Sequence, residues 1–284
     1  METTLLYGAP VAEALNRKTA AMVESLAARH ITPCLAIVRV GDKGEDVSYE
    51  ASLTRQCRAA GIDVRPNVFS ADVSEQTLLD KLGDLSGNDS IHGILPLLPL
   101  PEGIDTDRVR RAIAPEKDVD GVTEASLAAL LTGSERGFAP CTAEAVVAML
   151  KFYNIPLAGQ NIAVLGRSTV VGKPAALLLA RENATVTLCH SRTKNEAELC
   201  RRADILVAAM GQAGHIGAPF FNGKQIIIDA GTNVLADGSL CGDVDFHAAE
   251  GRVQAITPVP RGLGAVTSAV LINHVVEAAE RSLP

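Results

Sequence analysis

The segment 161–174 constrains the fold of this chain more than any other stretch. It reads NIAVLGRSTVVGKP: an apolar strand-type run, residues 162–165, stops at Gly166, and Gly172 follows six residues later. An apolar helical run comes next, with Pro174 at the expected first helical position, where its missing N–H has no partner to lose. A strand, a glycine turn and a helix start together direct backbone N–H groups and the helix dipole at one place. The segment therefore predicts an anion site, suited to a phosphate.

The turn departs from the usual dinucleotide fingerprint GxGxxG, because Ser168 replaces the middle glycine. A tight strand–helix turn without a ligand stays open on this segment alone. After the next strand the chain reads HSRTK, residues 190–194, with no carboxylate, and Arg167 follows the turn glycine. An acidic residue after that strand typically binds the ribose of NAD, whereas cations accept the 2′-phosphate of NADP. We predict NADP over NAD, with solvated loop charges as the alternative.

The predicted cofactor-binding residues extend from this turn to the ends of later strands. They are Gly166, Arg167, Ser168, Val171, Gly172, Pro174, His190, Ser191, Arg192 and Thr232.

Length and composition limit the class of protein. A chain of 284 residues with 47 % hydrophobic residues predicts two domains with sizeable cores. A formal charge of −7 disfavours general nucleic-acid binding, which needs a basic face, but allows an anionic small substrate. The six cysteines form no CxxC pair and no metal spacing, so we expect reduced, mostly buried thiols in a cytoplasmic protein. His190 and His215 are interpreted as local hydrogen-bonding residues, not metal ligands.

The start of the sequence, METTLLYGAP, has no basic region, so no signal peptide is expected. No run reaches the 18 apolar residues of a membrane helix, so no membrane partner is predicted either.

Helix and strand signals alternate along the chain, which predicts an α/β fold made of two α/β domains. In the first half, helices are expected at 11–29, 47–60, 75–85, 124–131 and 142–153, strands at 34–40, 64–69 and 91–95, and a loop at 133–140. Thr142 is the expected cap of the fifth of these helices. In the second half, strands at 162–165, 185–189, 205–209, 226–229 and 255–256 predict a doubly wound, mostly parallel sheet. A last helix, 267–282, is expected to pack on the first domain.

Six segments, taken together, resemble one family, the methylenetetrahydrofolate dehydrogenase/cyclohydrolases. They are 115–121 (PEKDVDG), 140–142 (PCT), 166–174 (GRSTVVGKP), 189–193 (CHSRT), 242–246 (GDVDF) and 257–260 (TPVP), in family order over nearly the full length. The resemblance implies an N-terminal catalytic domain (1–141, completed by helix 267–284), a Rossmann-type NAD(P)-binding domain (142–266) and a cleft between them. It also implies a homodimer that oxidises 5,10-methylenetetrahydrofolate with NADP or NAD, and commonly hydrolyses the methenyl product to 10-formyltetrahydrofolate.

The catalytic segment departs from the family pattern. Family members carry Tyr-x-x-x-Lys on one helix face, and here Tyr49 is in place while Leu53 stands at the lysine position. The glutamine of a VQLPLP-like loop, which tunes that lysine, is replaced by Leu97, whereas the folate-contacting acid Asp120 is retained. The nearest basic residue, Arg55, belongs to another helix face.

The family's PGGVGPMT-like run appears as PRGLGAVT, residues 260–267. The resemblance implies Tyr49 and Asp120 as catalytic residues. It implies a substrate site of Tyr49, Leu53, Leu97, Asp120, Pro260 and Gly264. The alternatives are a core tyrosine at 49 and a loop-capping carboxylate at 120.

The two reactions of the family require different catalytic groups from the protein. Hydride transfer needs chiefly positioning, because the folate nitrogens supply the electron push and the cofactor accepts the hydride. Hydrolysis needs proton transfer, for which the lysine is the family's candidate, and leucine cannot move a proton. We therefore predict that the dehydrogenase step survives and that the cyclohydrolase step is weak or absent. Three alternatives stay open: both activities through water chains or Tyr49, a different substrate, or a non-catalytic folate or nucleotide sensor.

Overall fold

The computed structural model describes residues 2–134 and 136–283, so the predicted domain limits at residues 1 and 284 lie outside the described residues, as does position 135 in the predicted 133–140 loop. The chain divides into two compact units. One, here the three-strand unit, comprises 14–139 and 269–284. The other, the six-strand unit, comprises 1–13 and 140–268. The sequence had placed residues 1–13 in the first domain.

In chain order, the strands are β1 (Thr4–Leu5), β2 (Cys34–Val40), β3 (Asp63–Phe69), β4 (Gly93–Pro96), β5 (Asn161–Leu165), β6 (Thr185–Cys189), β7 (Ile205–Ala208), β8 (Ile226–Asp229), β9 (Asn233–Val234), β10 (Leu240–Cys241) and β11 (Ala255–Ile256). The helices are α1 (Gly8–Ala27), α2 (Gly44–Ala59), α3 (Glu75–Ser86), α4 (Thr106–Arg111), α5 (Glu124–Thr132), α6 (Cys141–Phe152), α7 (Gly172–Arg181), α8 (Glu196–Arg201), α9 (Phe246–Ala249) and α10 (Leu263–Arg281). Short 3₁₀ turns lie at Pro115–Lys117 and Ala218–Phe220.

The three-strand unit is built on a parallel sheet of order β3-β2-β4. All seven residues of the central strand β2 are buried, as expected for a strand covered on both faces. Helix α3 buries Leu78, Leu82 and Leu85, which its 3.6-residue period places on one face, and Ser74 caps it by accepting a hydrogen bond from Thr77 N. The sheet and α3 form one apolar core with Val109 of α4.

The six-strand unit is a parallel sheet of order β1-β11-β8-β7-β5-β6, which confirms the predicted doubly wound α/β class. Its register aligns Leu165 with Cys189 on one side and with Ala208 on the other, and Ala208 aligns with Asp229. The carboxyl ends of β5, β6, β7 and β8 therefore meet at one edge of the sheet, where such folds bind their ligands.

Strand β1 explains the grouping of the first residues. Thr4 and Leu5 align with Ala255 and Ile256, and Leu6 N donates to Ile256 O at 2.8 Å. A strand of two residues is too short to show a period in the sequence. Thr4 and Leu5 accordingly complete the six-strand sheet.

Two predicted helix starts are corrected. Thr142 is not the cap of α6, because that helix begins at Cys141 with Pro140 at the cap position and no side-chain cap hydrogen bond. Pro174 is the third residue of α7, not the first, since the helix begins at Gly172. Proline is still tolerated there, because N–H groups in the first helical turn have no intrahelical partner.

Five cysteines are buried and Cys241 is partly exposed, and all six are free thiols, as expected. None of the helices in the described ranges combines the length and apolar character needed to span a bilayer.

Candidate active site

The turn after β5 can be formed only with glycine at two positions. Gly166 has a φ of +116°, and a Cβ placed there would lie 2.0 Å from the carbonyl oxygen of Ala209. A Cβ at Gly172 would lie 2.0 Å from the carbonyl oxygen of Gly166. Both distances are far below van der Waals contact. The two glycines therefore make a tight cradle of backbone, the shape in which a pyrophosphate approaches a strand–helix turn.

Ser168, at the middle position of the fingerprint, stabilises this turn from within. Its Oγ accepts hydrogen bonds from Val171 N at 3.1 Å and Gly172 N at 3.4 Å. Its carbonyl oxygen accepts from Lys173 N at 3.0 Å. The hydroxyl thus occupies two N–H groups at the start of α7, and it replaces the conformational role of a glycine with hydrogen bonds.

A cavity of about 190 Å³ opens at this edge of the sheet, and we name it the nucleotide cavity. Its lining residues are Gly166, Arg167, Ser168, His190, Ser191, Ala209, Met210 and Gln212. The first five were predicted from the sequence, and the last three, which follow β7, were not. Of the other predicted cofactor residues, Val171, Gly172 and Pro174 do not line the cavity, Arg192 is exposed on the 190–194 loop, and Thr232 is exposed after β8.

The 190–194 loop is held by its own hydrogen bonds. His190 N donates to Thr193 Oγ1 at 2.9 Å, and Arg192 N donates to His190 Nδ1 at 3.2 Å. Because Nδ1 accepts, the neutral imidazole carries its proton on Nε2. Arg192 and Arg167 supply exposed positive charge near the cavity, so the donor set fits a phosphorylated dinucleotide.

Two buried carboxylates shape the loops behind the nucleotide cavity. Asp243 accepts from the backbone N–H groups of Met210, Gly211 and Gln212 at 2.5–3.0 Å, and from Asn233 Nδ2 at 3.0 Å. Asp229, at the end of β8, accepts from the N–H groups of Gly231, Asp243 and Val244. The sequence analysis missed both, although the GDVDF segment contains Asp243.

Burial raises the pKa of Asp229 to about 6. Its three backbone donors act in the opposite direction, and the Asp243 carboxylate adds to the rise. This carboxyl therefore titrates near neutral pH, unlike an exposed aspartate.

A second cavity, of about 350 Å³, lies in the three-strand unit, and we name it the acidic cavity. The first turns of α2 supply Glu45, Asp46 and Tyr49, the end of β4 and the residues after it supply 95–98, and Asp120 completes the lining. Tyr49 is 43 % exposed and Leu97 only 7 %. The structure thus brings together Tyr49, Leu97 and Asp120, three of the residues assigned to the substrate site from the sequence.

Three carboxylates and no cation are found among the described residues that line the acidic cavity. Leu53 lies one turn beyond Tyr49 on α2, is 1 % exposed and is not part of the lining. It continues with Cys57 as the buried stripe of α2. Sequence reasoning missed Glu45 and Asp46, whose only signal is that acidic residues favour the first turn of a helix.

Asp118, two residues before Asp120, caps the 118–123 loop. The buried Asp118 carboxylate accepts from Val122 N, Thr123 N and Ser126 Oγ at 2.7–3.1 Å. His274 Nδ1 lies 2.8 Å from the carbonyl oxygen of Val119. These bonds fix the 118–123 segment and so present Asp120 to the acidic cavity.

The predicted substrate residues Pro260 and Gly264 are exposed and belong to the six-strand unit. Between them, Arg261 has a φ of +81°, a left-handed conformation that costs energy for a residue with a side chain. Its guanidinium lies 5.7 Å from the ring centroid of Tyr7, and its carbonyl oxygen accepts from Gly8 N at 2.9 Å. The loop is held to the start of α1 in this way.

A glycine turn at the carboxyl edge of a doubly wound parallel sheet defines a nucleotide-binding α/β protein of the Rossmann class. Comparison with known families makes the assignment specific. The chain belongs to the tetrahydrofolate dehydrogenase/cyclohydrolase family: the catalytic-domain model of that family matches residues 6–120, and its NAD(P)-binding-domain model matches residues 140–283. The predicted family is confirmed.

Individual relatives agree with this assignment. The bifunctional protein FolD of Alkaliphilus oremlandii is 44 % identical over 276 residues, which cover 97 % of each chain. That of Carboxydothermus hydrogenoformans is 45 % identical, covering 97 % of this chain and 96 % of the relative.

Solved structures are similar over the whole chain. The FolD crystal structure from Campylobacter jejuni has a TM-score of 0.95 at 34 % identity and covers 99 % of this chain and 100 % of that one. The FolD structure from Trypanosoma brucei, complexed with NADP and an inhibitor, has a TM-score of 0.93 at 32 % identity and covers 99 % of each chain.

Proposed function

We propose that this protein oxidises 5,10-methylenetetrahydrofolate with NADP and that its cyclohydrolase activity is weak or absent. The observation that carries the proposal is the chemistry of the acidic cavity. Positions 53 and 97 are leucines, and no amine lines the cavity among the described residues. The site offers carboxylates, a phenol and hydrocarbon to a reduced folate.

The dehydrogenase half of the proposal is supported by the nucleotide cavity. The glycines at 166 and 172 permit the tight strand–helix turn that a pyrophosphate approaches in such folds, and the exposed Arg167 and Arg192 provide charge for a 2′-phosphate. NADP, when bound, accepts a hydride from the substrate's methylene carbon. In this proposal Asp120 accepts hydrogen bonds from the pterin N–H groups, and Tyr49 orients the folate near the reacting carbon.

The charge of the acidic cavity favours the same reaction. When a hydride leaves the methylene bridge, the remaining N–C–N group becomes a cation. The carboxylates of Glu45, Asp46 and Asp120 attract positive charge in a ligand bound beside them. No protein proton is needed for this step, so the loss of an amine does not prevent it.

Hydrolysis of the methenyl cation needs a group that deprotonates water and protonates a ring nitrogen. Such a general acid–base group typically contributes roughly 10²–10⁴-fold in rate. Leu53 and Leu97 supply none. Stabilisation of the cation by three carboxylates also lowers its reactivity toward water.

A fully bifunctional enzyme is the second candidate. The relatives at 44–45 % identity are named bifunctional, and Glu45 and Asp46 are carboxylates that could serve as bases. The two candidate functions differ in the rate at which the protein hydrolyses methenyltetrahydrofolate.

The test is a pair of steady-state assays on one preparation. The first follows reduction of NADP and of NAD with 5,10-methylenetetrahydrofolate. The second follows loss of the near-ultraviolet absorbance of methenyltetrahydrofolate. We expect NADP-preferring dehydrogenase activity, and hydrolysis close to the buffer rate. Hydrolysis well above that rate would establish the bifunctional enzyme instead, and tight binding without turnover would establish a sensor. No reaction with the folate would point to another substrate.

A rescue variant sharpens this test. Leu53→Lys with Leu97→Gln restores an amine and its amide partner and should raise hydrolysis by roughly 10²-fold. The matched control is Leu53→Met with Leu97→Met, which keeps similar volume and adds no group that transfers a proton. Equal rates in the two double variants would count against a role for position 53. Because position 53 is buried, thermal unfolding of both variants is measured alongside.

The homodimer rests on the family resemblance, and the cytoplasmic location rests on the reduced thiols expected from the cysteine pattern. Light scattering of the purified protein tests the first of these.

A further inference from the structure

A third cavity lies in the three-strand unit, at the opposite end of β4 from the acidic cavity. Its volume is about 410 Å³, larger than that of the acidic cavity. Ile91 and His92 precede β4 and form one wall, and the last turn of α10 forms another. The acidic cavity begins at Leu95, near the carboxyl end of β4. The third cavity is therefore separate from the proposed folate site.

Basic side chains outnumber acidic ones in this third cavity, which we name the basic cavity. Among the described residues, Lys117, Arg136 and Arg281 line it, together with two carboxylates, Asp89 and Glu116. The acidic cavity has the opposite balance, with carboxylates alone. The two ends of β4 thus present opposite charge to a ligand.

His92 contributes a largely buried imidazole to the basic cavity. The residue is 8 % exposed, and its Nδ1 accepts a hydrogen bond from Cys34 N at 3.1 Å. A neutral imidazole that accepts at Nδ1 carries its proton on Nε2, and Nε2 has no hydrogen-bond partner within the described part of the chain. Burial lowers the pKa of His92, and the positive charges of Lys117 and Arg65 lower it further.

Lys117 and Arg136 bring further donors to the same space. The Lys117 ammonium donates to Asn88 O at 2.8 Å and to Leu85 O at 3.4 Å, and it has a third N–H. Arg136 Nε donates to Glu116 at 3.2 Å, which leaves four N–H groups of its guanidinium. Burial lowers the pKa of Lys117, and the carboxylates of Asp89 and Glu116 only partly oppose this shift. A bound anion would compensate the free-energy cost of burying the ammonium.

We propose that the basic cavity binds a small phosphorylated organic molecule, with its phosphate on His92, Lys117 and Arg136 and its organic part against Ile91, Ala114 and Ala278. A tetrahedral phosphate accepts hydrogen bonds from several directions at once, which suits donors on three separate segments. The cavity is larger than inorganic phosphate requires, and its apolar wall suits a carbon skeleton. Neither hydride transfer nor hydrolysis in the proposed function uses this site.

The test is a calorimetric titration with glycerol 3-phosphate, in the presence of saturating NADP so that the nucleotide cavity is filled. Glycerol is the neutral control. We expect saturable binding of one glycerol 3-phosphate per chain and none of glycerol. In parallel, NMR titration of the His92 ring should show its pKa rising on addition of the phosphate ester, because a nearby anion favours the imidazolium.

Two variants locate the binding. His92→Asn keeps an acceptor for Cys34 N and removes the Nε2 donor, and Arg136→Gln removes an exposed charge. Each should weaken binding roughly tenfold, as expected for loss of a charge-assisted hydrogen bond. Arg202→Gln is the matched control, since Arg202 is also exposed and also paired with a glutamate, Glu198. It should bind like the unmodified protein.

The proposal is overturned if glycerol 3-phosphate shows no saturable binding once NADP is present, or if it binds equally well to the His92 and Arg136 variants. Arg136 is on the surface, so its variant decides the question even if His92→Asn unfolds. Neither result bears on folate oxidation, which is assayed separately.

Discussion

The nucleotide turn and the acidic cavity are shaped by different parts of the chain. At residues 166–172 the decisive contacts are between backbone atoms: a Cβ at Gly166 or Gly172 would lie 2.0 Å from a carbonyl oxygen. In the acidic cavity the decisive features are side chains, namely three carboxylates, Tyr49 and a leucine-rich wall. The first region tolerates no substitution at its glycines, whereas the second can change its chemistry while its fold stays the same.

This difference would let a member of the family change positions 53 and 97, as the resemblance implies for this chain, without changing its fold. A leucine at position 53 completes the buried stripe of α2 with Cys57, so it preserves packing while it removes an amine. A comparable change in the turn would collide with backbone. Function in the acidic cavity is therefore the more variable property, and four experiments test that contrast.

The largest expected effect is at the turn. Gly172→Ala should weaken NADP binding by roughly 10³-fold, about 4 kcal/mol, because the new Cβ would overlap the Gly166 carbonyl. Binding is measured by calorimetric titration. Gly217→Ala is the control, since its nearest atom would be 3.9 Å away, and it should change affinity little. Unaltered NADP affinity in Gly172→Ala would refute the backbone description of this region.

The second effect concerns Asp229, whose carboxylate is buried and bonded to backbone N–H groups, unlike the carboxylates that line the acidic cavity. Asp229 has a folded pKa of about 6, above the value of about 3.9 expected in the unfolded chain. The folded state therefore binds more protons between these values. The stabilisation is fully present below about pH 4, and about 3 kcal/mol of it is lost as pH rises to about 6.

Urea unfolding at several pH values between 4 and 7 measures this dependence. The Asp229→Asn variant lacks the titrating carboxyl, so its free energy of unfolding should vary less with pH between 4 and 7. Parallel curves for the two proteins would show that Asp229 does not titrate there.

The third effect is in the acidic cavity. Asp120→Asn should lower kcat/KM for 5,10-methylenetetrahydrofolate by roughly 10²-fold, because the pterin loses a charged acceptor, and NADP affinity should stay the same. Asp107→Asn, an exposed carboxylate on α4 in the same unit, serves as the control. If NADP affinity fell as much as kcat/KM, the two regions would not be independent.

The smallest effect tests cofactor choice. Arg192→Gln should weaken NADP binding about tenfold and leave NAD binding unchanged, because only NADP carries a 2′-phosphate for the guanidinium to bind. Lys224→Gln, also exposed in the six-strand unit, is the control. An equal loss for NADP and NAD would place Arg192 elsewhere on the dinucleotide.

Sequence reasoning predicted best where one strong signal dominates. The bounds of β2, β6, β8 and β11 were predicted to the residue, because each is a short apolar or β-branched run. Helix α2 begins at Gly44, three residues before its prediction, since Glu45 and Asp46 give no apolar periodicity. The pairing of β1 depends on a partner at the far end of the chain, which local patterns do not reveal.

The same limit applies to the sites. Gly166, Arg167, Ser168, His190 and Ser191 were predicted because the turn and strand ends have recognisable sequence patterns. Met210 and Gln212 were missed because they are positioned by hydrogen bonds from their backbone N–H groups to Asp243. A backbone N–H has no signature in the sequence. Glu45 and Asp46 looked like ordinary helix-start residues until the structure placed them beside Asp120.

The pairing of β1 with β11 also affects how the protein is made. Thr4 and Leu5 leave the ribosome long before their pairing partners, Ala255 and Ile256. Until residues 255–256 emerge, β8 has an open edge and β1 has nothing to pair with. The six-strand sheet is therefore completed only after residues 255–256 have been synthesised, and chains released before that point expose a strand edge through which they can aggregate.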